Sequence, residues 1–271
     1  MILLRAVSIL TAFLFPLHSA FAAVPEALTK IPFELRSQLP TAKVNVGGQS
    51  IPLFIDLGGH LPVALSKGAL RQVKVNYTGT SLKWRDWTGT IHESKRFVAP
   101  DVMIAGTSFG DLQGAEFNFP ESADAADPKG YIGFGLLKNY LLVFDYILGV
   151  LRLYPSGDPT AIEAECGSQH FPIQVADGVV QSVIGTDKGK LIFQWDTGST
   201  RNVIRPSSIG EAGTPMRPFR SFQIGEKQLT AQVVFEVREF AAPAVDGVLG
   251  TDFFASRVIC FDVKTGRGAI R

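Results

Sequence analysis

Cysteine is scarce in this chain of 271 residues: Cys166 and Cys260 are the only two, which excludes a Cys-x-x-Cys redox pair and a cysteine-rich metal site. Histidine is nearly as rare, and His60, His92 and His170, the three beyond the N-terminal segment, have no spacing that would set two of them on one metal ion. No phosphate loop is present, and no serine is read as a nucleophile elbow. Charged residues make up 19% of the chain against 46% apolar ones, which excludes a disordered, self-repelling polymer. Long helical periodicities are missing too. What is abundant is valine, isoleucine, phenylalanine and glycine in short alternating runs, the composition of strands and turns.

The first residues have the pattern of an export signal. Arg5 carries the single charge, an apolar stretch runs from Ala6 to about Leu17, and Ala20-Phe21-Ala22 offers a small-residue cleavage site after Ala22. The stretch is shorter than the ~20 residues of a membrane-spanning helix. Residues 1–22 are therefore expected to be a signal peptide, and the mature protein to be periplasmic or secreted with no membrane span. Of the 26 lysines and arginines only Arg5 leaves with the signal, so the remainder balance the 25 acidic residues. Such a surface gives no reason to expect nucleic acid as a partner. In an oxidising compartment Cys166 and Cys260 could pair, and both lie near the ends of the second half; spacing alone leaves the disulfide open.

The chain repeats itself at an offset of 140 residues. Ile31-Pro32-Phe33 aligns with Phe171-Pro172-Ile173, Val44 with Ile184, Leu53 with Phe193, Ile55 with Trp195 and Asp56 with Asp196. Gly58 then meets Gly198 and Val63 meets Val203, all without a gap. Further on the offset is 117: Ile132-Gly133 matches Leu249-Gly250, Asp145 matches Asp262 and Gly149 matches Gly266. A fixed offset that preserves turn residues and apolar positions together points to a duplicated structural unit. The first half carries about 23 extra residues, the difference of the two offsets, placed around Tyr77 to Phe97. Within each unit the pattern predicts a hairpin: Thr41 to Val46 and Ile51 to Ile55 in the first, Val180 to Ile184 and Leu191 to Trp195 in the second. Helix is expected only as one or two turns at Gly135–Tyr140 and Asp252–Ser256. The expected organisation is all-β: a first lobe at 23–157, a polar linker at 158–168 and a second lobe at 169–271.

Asp196-Thr197-Gly198-Ser199 follows a strand directly, and Val248-Leu249-Gly250 comes later in the same unit. The first unit has Asp56-Leu57-Gly58-Gly59 and Tyr131-Ile132-Gly133 in the matching places. In these motifs, and over nearly all of the mature sequence, the chain resembles the aspartic peptidases, and within them the bacterial retropepsin-like branch. The resemblance implies a bilobal fold of two β-barrel-like lobes with a cleft between them. It implies Asp56 and Asp196 as the catalytic pair, supported by Thr197, Gly198, Ser199, Gly58, Gly59, Gly133 and Gly250, with no cofactor and no metal. Two neighbouring carboxylates cannot both ionise easily, so the pair shares a proton, and neither residue can be assigned it from sequence. A water activated by the charged carboxylate would attack a peptide carbonyl polarised by the protonated one. The glycines allow backbone amides to approach the carboxylates. By the same resemblance Ser199 would hydrogen-bond the outer oxygen of Asp196, and a threonine in each loop would bond across to the other. Leu57 breaks that pattern, and Gly59 stands where the second loop has Ser199.

Three functions follow, in decreasing weight. The first is an exported aspartic endopeptidase, a monomer acting on peptide or unfolded protein. The second is a weak or inactive peptide-binding relative in the cell envelope, and the third a structural envelope protein. Asp145 and Asp262 read as turn residues, and His60 as a solvated loop residue near the cleft. Trp84-Arg85-Asp86-Trp87-Thr88-Gly89, inside the first-half insertion, is equally compatible with the tip of a flap over the cleft and with packing.

Overall fold

Leu39–Val46 and Gln49–Asp56 form an antiparallel hairpin in which Val44 faces Ile51 and Thr41 faces Phe54; burial alternates near the turn, from Ala42 to Val46, and both faces are covered at the far ends. The turn between them is made by Gly47 and Gly48 at φ 55° and 86°, with Asn45 Oδ1 accepting from the Gly48 N–H at 2.9 Å. The second half repeats the hairpin as Val179–Thr186 and Gly189–Trp195, with Ile184 facing Leu191 and Gln181 facing Gln194. These observations come from a computed structural model that describes residues 25–86, 88–118, 127–210, 215–229, 233–241 and 244–271. The expected signal peptide at 1–22 and Trp87 lie outside the described residues. No helix among the described residues is long and apolar enough to cross a membrane.

Each hairpin receives a parallel strand from much later in the chain. Gly130–Gly133 lies beside Gln49–Asp56 with Ile132 opposite Ile55 and Gly133 opposite Asp56. Gly247–Leu249 lies beside Gly189–Trp195 with Leu249 opposite Trp195. The two offsets seen in the sequence therefore correspond to one register in space. Around these pairs grow an eight-stranded sheet in the first half and a nine-stranded sheet in the second. The protein is all-β and bilobal, as the sequence predicts, with five short helices among the described residues.

A third sheet of six strands, in the order Thr29–Pro32, Val150–Pro155, Tyr140–Asp145, Val258–Asp262, Arg267–Ile270 and His170–Pro172, takes three strands from each half. At its centre Tyr140–Asp145 and Val258–Asp262 run antiparallel with Val143 opposite Cys260, Leu141 opposite Asp262 and Asp145 opposite Val258. Residues 117 apart are thus exchanged by a local two-fold axis through the Val143–Cys260 pair. This sheet was not legible as such in the sequence, because β-pairing between segments more than 100 residues apart leaves no local pattern.

The segment expected as a polar linker contains a helix, Pro159–Cys166. Asp158 caps it, accepting from Thr160 N at 2.9 Å and Ala161 N at 3.4 Å, and Gly167 ends it at φ 83°. Its buried residues Ala161, Ile162 and Cys166 pack on Leu141, Val143, Val258 and Cys260 of the shared sheet. Cys166 and Cys260 are joined by a disulfide with 6.3 Å between Cα atoms, pinning the connecting helix to that sheet. The pairing comes from helix-on-sheet packing, with Cys166 at the end of the helix and Cys260 on a central strand of the sheet. The helical turns foreseen at Gly135 and Asp252 are Phe134–Leu137 and Thr251–Phe254, each beginning directly after Gly133 or Gly250.

Asp145 and Asp262 hold turns, as read. Asp145 accepts from Ile147 N and Leu148 N and pairs with Arg152 at 3.0 Å, while Asp262 accepts from Ser156 Oγ at 2.6 Å and Gly157 N at 2.9 Å. Beneath the second hairpin Trp195 is fully buried, stacked on Phe171 and edge-on to Phe253 and Phe261. Its indole N–H is satisfied by Ser182 Oγ at 2.9 Å, so the aromatic core carries no unpaired donor there. That core forms the floor on which the second aspartate loop rests.

Candidate active site

The strands Gln49–Asp56 and Gly189–Trp195 each end in an aspartate loop, and the fold brings the two loops together. Asp56 Oδ1 accepts from Gly58 N at 2.8 Å; Asp196 Oδ1 accepts from Gly198 N at 2.8 Å and from Ser199 N at 3.2 Å. Each carboxylate also presses on the opposite loop. A Cβ added to Gly58 would stand 2.6 Å from Asp196 Cγ, and one added to Gly198 would stand 2.6 Å from Asp56 Oδ1. Only glycine permits this approach. Each carboxyl thus lies against the loop that carries the other.

Gly133 and Gly250 back the loops from beneath: a Cβ there would meet Leu61 O at 2.3 Å and Arg201 O at 2.2 Å respectively. Gly59 is held just as closely, with Tyr131 Cε2 at 2.6 Å and Asp56 Oδ2 at 2.9 Å from the place of its missing Cβ. Gly250 N donates to the buried Asn202 Oδ1 at 3.0 Å, a contact the sequence did not single out.

Thr197 fastens one loop to the other. Its hydroxyl donates to Ile55 O at 2.7 Å and accepts from Leu57 N at 3.0 Å, and the residue is fully buried. Leu57, its counterpart, is also fully buried but packs into the hydrophobic core. Half of the cross-loop lock is present and the other half is replaced by apolar packing.

The role expected for Ser199 is corrected. Its hydroxyl donates to Arg201 O at 2.8 Å, and only its backbone N–H serves Asp196. The residue that reaches the other oxygen is Gln194, whose Nε2 lies 3.3 Å from Asp196 Oδ2. Sequence reasoning missed it, although strand alternation carries the signal: Phe193 and Trp195 point into the core, so Gln194 must share a face with Asp196.

Burial, and then the charge of Asp196, drive the Asp56 carboxyl well above the ordinary carboxylate range. Burial also raises Asp196, against the hydrogen bonds from Gly198, Asp56 and Ser199 that favour its charged form. With both carboxyls buried against one another's loops, the pair holds on to a proton that a lone exposed carboxylate would lose. Two phenols feel the pair. Tyr131 is raised by burial and by Asp56, and Tyr146 by burial and by both aspartates.

The first-half insertion forms a long hairpin, Asn76–Arg85 with Ile91–Ile104, whose tip extends towards the second half. A Cβ on Gly89 at this tip would lie 3.2 Å from the Ala241 side chain, so the tip reaches across to the second half as a flap would. Trp84 stacks on His92 at 4.5 Å and hydrogen-bonds Ser94 Oγ at 3.0 Å. An aromatic series continues from Trp84 to Phe117 and from Phe117 to Tyr131 beside Asp56. Asp86 closes the tip by accepting from Thr88 N, Thr90 N and the Thr88 hydroxyl, and it pairs with His92 Nε2 at 2.7 Å. The Thr88 hydroxyl first, and then His92, lower its pKa to about 2.

His60 is exposed, as read, and stands against Gly178 of the second half. His92 belongs to the long hairpin, and His170 lies on the shared sheet with its Nε2 buried and unpaired among the described residues. Gly106-Thr107-Ser108-Phe109-Gly110 has the spacing of a nucleophile elbow that the sequence reading passed over. Ser108 sits within the strand Thr107–Glu116, however, with Gly110 N donating to its Oγ at 3.4 Å, and the chain continues as strand past it where an elbow would turn into helix.

No family model matches the sequence, and no curated protein sequence matches it. Among solved structures the chain is similar to an aspartic proteinase from Irpex lacteus, with a TM-score of 0.61 and 11% identity over 89% of this chain and 96% of that one. Identity that low speaks for the fold alone, and it carries neither the bacterial nor the retropepsin-like part of the expectation. The chain has the bilobal all-β fold of the pepsin-like aspartic proteinases.

Proposed function

We propose that this protein is an exported aspartic endopeptidase that hydrolyses peptide bonds with a water activated by Asp56 and Asp196. The observation that carries the reading is the mutual approach of the two carboxyls, each wedged against the glycine of the opposite loop. In the forward step the charged carboxylate takes a proton from water, and the water oxygen attacks the peptide carbonyl carbon. The protonated carboxyl gives its proton to the carbonyl oxygen, forming a neutral gem-diol. Collapse returns a proton from the diol to the pair and delivers one to the departing nitrogen, leaving a carboxyl and an amine. Thr197, Gly58, Gly59, Gly133, Gly198 and Gly250 support the pair by holding both loops in place, and Ser199 does so through its backbone. The chemistry needs no metal or cofactor.

The substrate is an extended peptide or unfolded protein segment lying under the Asn76–Ile104 hairpin, and the working form is a monomer. The leader pattern and the disulfide support a periplasmic or secreted location, where a disulfide persists. A second reading, a peptide-binding protein of the envelope with weak or no catalysis, is favoured by Leu57 alone. The test is cleavage of a mixed peptide library by the mature chain between acidic and neutral pH. Products that disappear in Asp196→Asn support the peptidase; peptide binding without products supports the second reading.

A further inference from the structure

Asp196 is supplied with hydrogen-bond donors on both oxygens. Gly198 N and Ser199 N take Oδ1, and Gln194 Nε2 stands 3.3 Å from Oδ2, the oxygen the loop amides leave open. Gln194 has little freedom of direction, because its neighbours Phe193 and Trp195 are fully buried on the other face of the strand. The matching position in the first half is Phe54, which faces Thr41 as Gln194 faces Gln181. Phe54 has no donor, and its ring packs on Tyr131 at 5.6 Å. The two halves, so similar in register, differ here: an amide lies beside one carboxylate and an aromatic ring lies near the other.

We propose that Gln194 is a positioning residue that holds Asp196 as the charged member of the pair and leaves Asp56 as the acid. The inference rests on the reading of the pair as a water-activating dyad. An amide donor bonds a charged carboxylate roughly twice as strongly as a neutral carboxylic acid, so it favours the anion. Turned the other way, the amide oxygen of Gln194 would face the Asp196 carboxylate and repel it. The other groups around the pair agree in direction. Burial and the neighbouring Asp196 charge favour a protonated Asp56, and a positive charge on exposed His60 favours the Asp196 anion. Tyr131 beside Asp56, and Tyr146, which feels both aspartates, are phenols that remain neutral. The asymmetry matters for chemistry: it decides which carboxylate receives the proton of the water and which polarises the carbonyl.

The test is Gln194→Met, close in length and without a donor, in the full mature chain with carboxyl-labelled aspartate. Wild type is expected to show two coupled titrations for the pair. In Gln194→Met the lower one, seen at Asp196, moves up by about one pH unit while the upper one stays, because the donor serves both the single and the double anion. With a peptide substrate the acid limb of the kcat profile moves up equally and the alkaline limb does not. A fold-level defect would lower kcat at every pH without moving one limb. A lower titration that is unmoved or moves down overturns the proposal. Should Gln194→Met be poorly folded, Gln194→Leu, which also lacks a donor, is put through the same titration, and the same upward or unmoved lower step decides it. If wild type cleaves no peptide at any pH the peptidase reading fails, and the carboxyl titrations still decide whether Gln194 holds Asp196 charged.

Discussion

The Thr197 hydroxyl accepts a hydrogen bond from Leu57 N at 3.0 Å, and the Leu57 side chain has nothing to return. By the 140-residue relation, a hydroxyl at position 57 would meet Thr197 N–H and Trp195 C=O, the counterparts of Leu57 N–H and Ile55 C=O. Thr197→Val removes both existing bonds and leaves two buried backbone groups unpaired, at a cost of about 2–4 kcal/mol measured by urea unfolding. Leu57→Thr gives up apolar burial worth about 1–2 kcal/mol and gains up to two bonds of about 1 kcal/mol each. Its stability is expected to stay near wild type, while kcat rises several-fold at unchanged KM. A fall in kcat would mean that the leucine is already the better partner for this loop.

Gly58→Ala and Gly198→Ala should behave alike. Either methyl would sit 2.6 Å from an atom of the opposite carboxyl, in a loop that cannot retreat because the other loop grips it. Both should lower kcat by roughly 100-fold or more, the scale of a 1 Å misplacement of reacting groups. Retention of most activity in either would contradict the close contact of the loops.

The disulfide closes a loop of 94 residues between the connecting helix and the centre of the shared sheet. Replacing both cysteines with alanine should cost about 3–4 kcal/mol in urea unfolding, with wild type under reducing conditions losing a similar amount. Because the bridge lies on the far side of the shared sheet, kcat of the folded variant should remain within about twofold of wild type at temperatures well below its melting point.

Much of this was written in the sequence at short range. Alternation around Asn45-Val46-Gly47-Gly48 marked the hairpins, and the aspartates with their glycines marked the loops. The extra residues, placed around Tyr77 to Phe97, fall in the Asn76–Ile104 hairpin, while a flap and simple packing read equally well from them. Long-range features were not legible: the Val143–Cys260 pairing joins two apolar strands whose sequences say that they are buried but not against which partner. The connecting helix was legible and passed over, since Asp158-Pro159 and Gly167 are ordinary start and stop signals. Gln194 was hidden by resemblance, which drew the expected bond to Ser199 and away from the strand before the loop.

The raised Asp56 carboxyl makes a prediction about stability and pH. A group whose folded pKa lies above its unfolded value favours the folded state below the unfolded value, near 3.8, and that contribution fades as pH rises through the folded value. Asn is neutral at every pH, so Asp56→Asn should be more stable than wild type at pH 7. The difference should shrink toward zero by about pH 3, where Asp56 is protonated in both states. Equal melting curves for the two proteins across this range would show that Asp56 carries no such burden.

The central claim is that Asp56 and Asp196 act on one water, and the most direct test is isotope incorporation during peptide cleavage. Mature wild type, Asp56→Asn and Asp196→Asn are incubated with a peptide mixture in ¹⁸O-labelled water at acidic pH, and products are weighed by mass spectrometry. The account predicts new C-termini carrying one ¹⁸O from wild type, and no products above background from either variant, a loss of at least 1,000-fold on the scale of removing an essential acid or base. Cleavage that persists in either asparagine variant, or wild type that binds peptide and yields no labelled product, would contradict it.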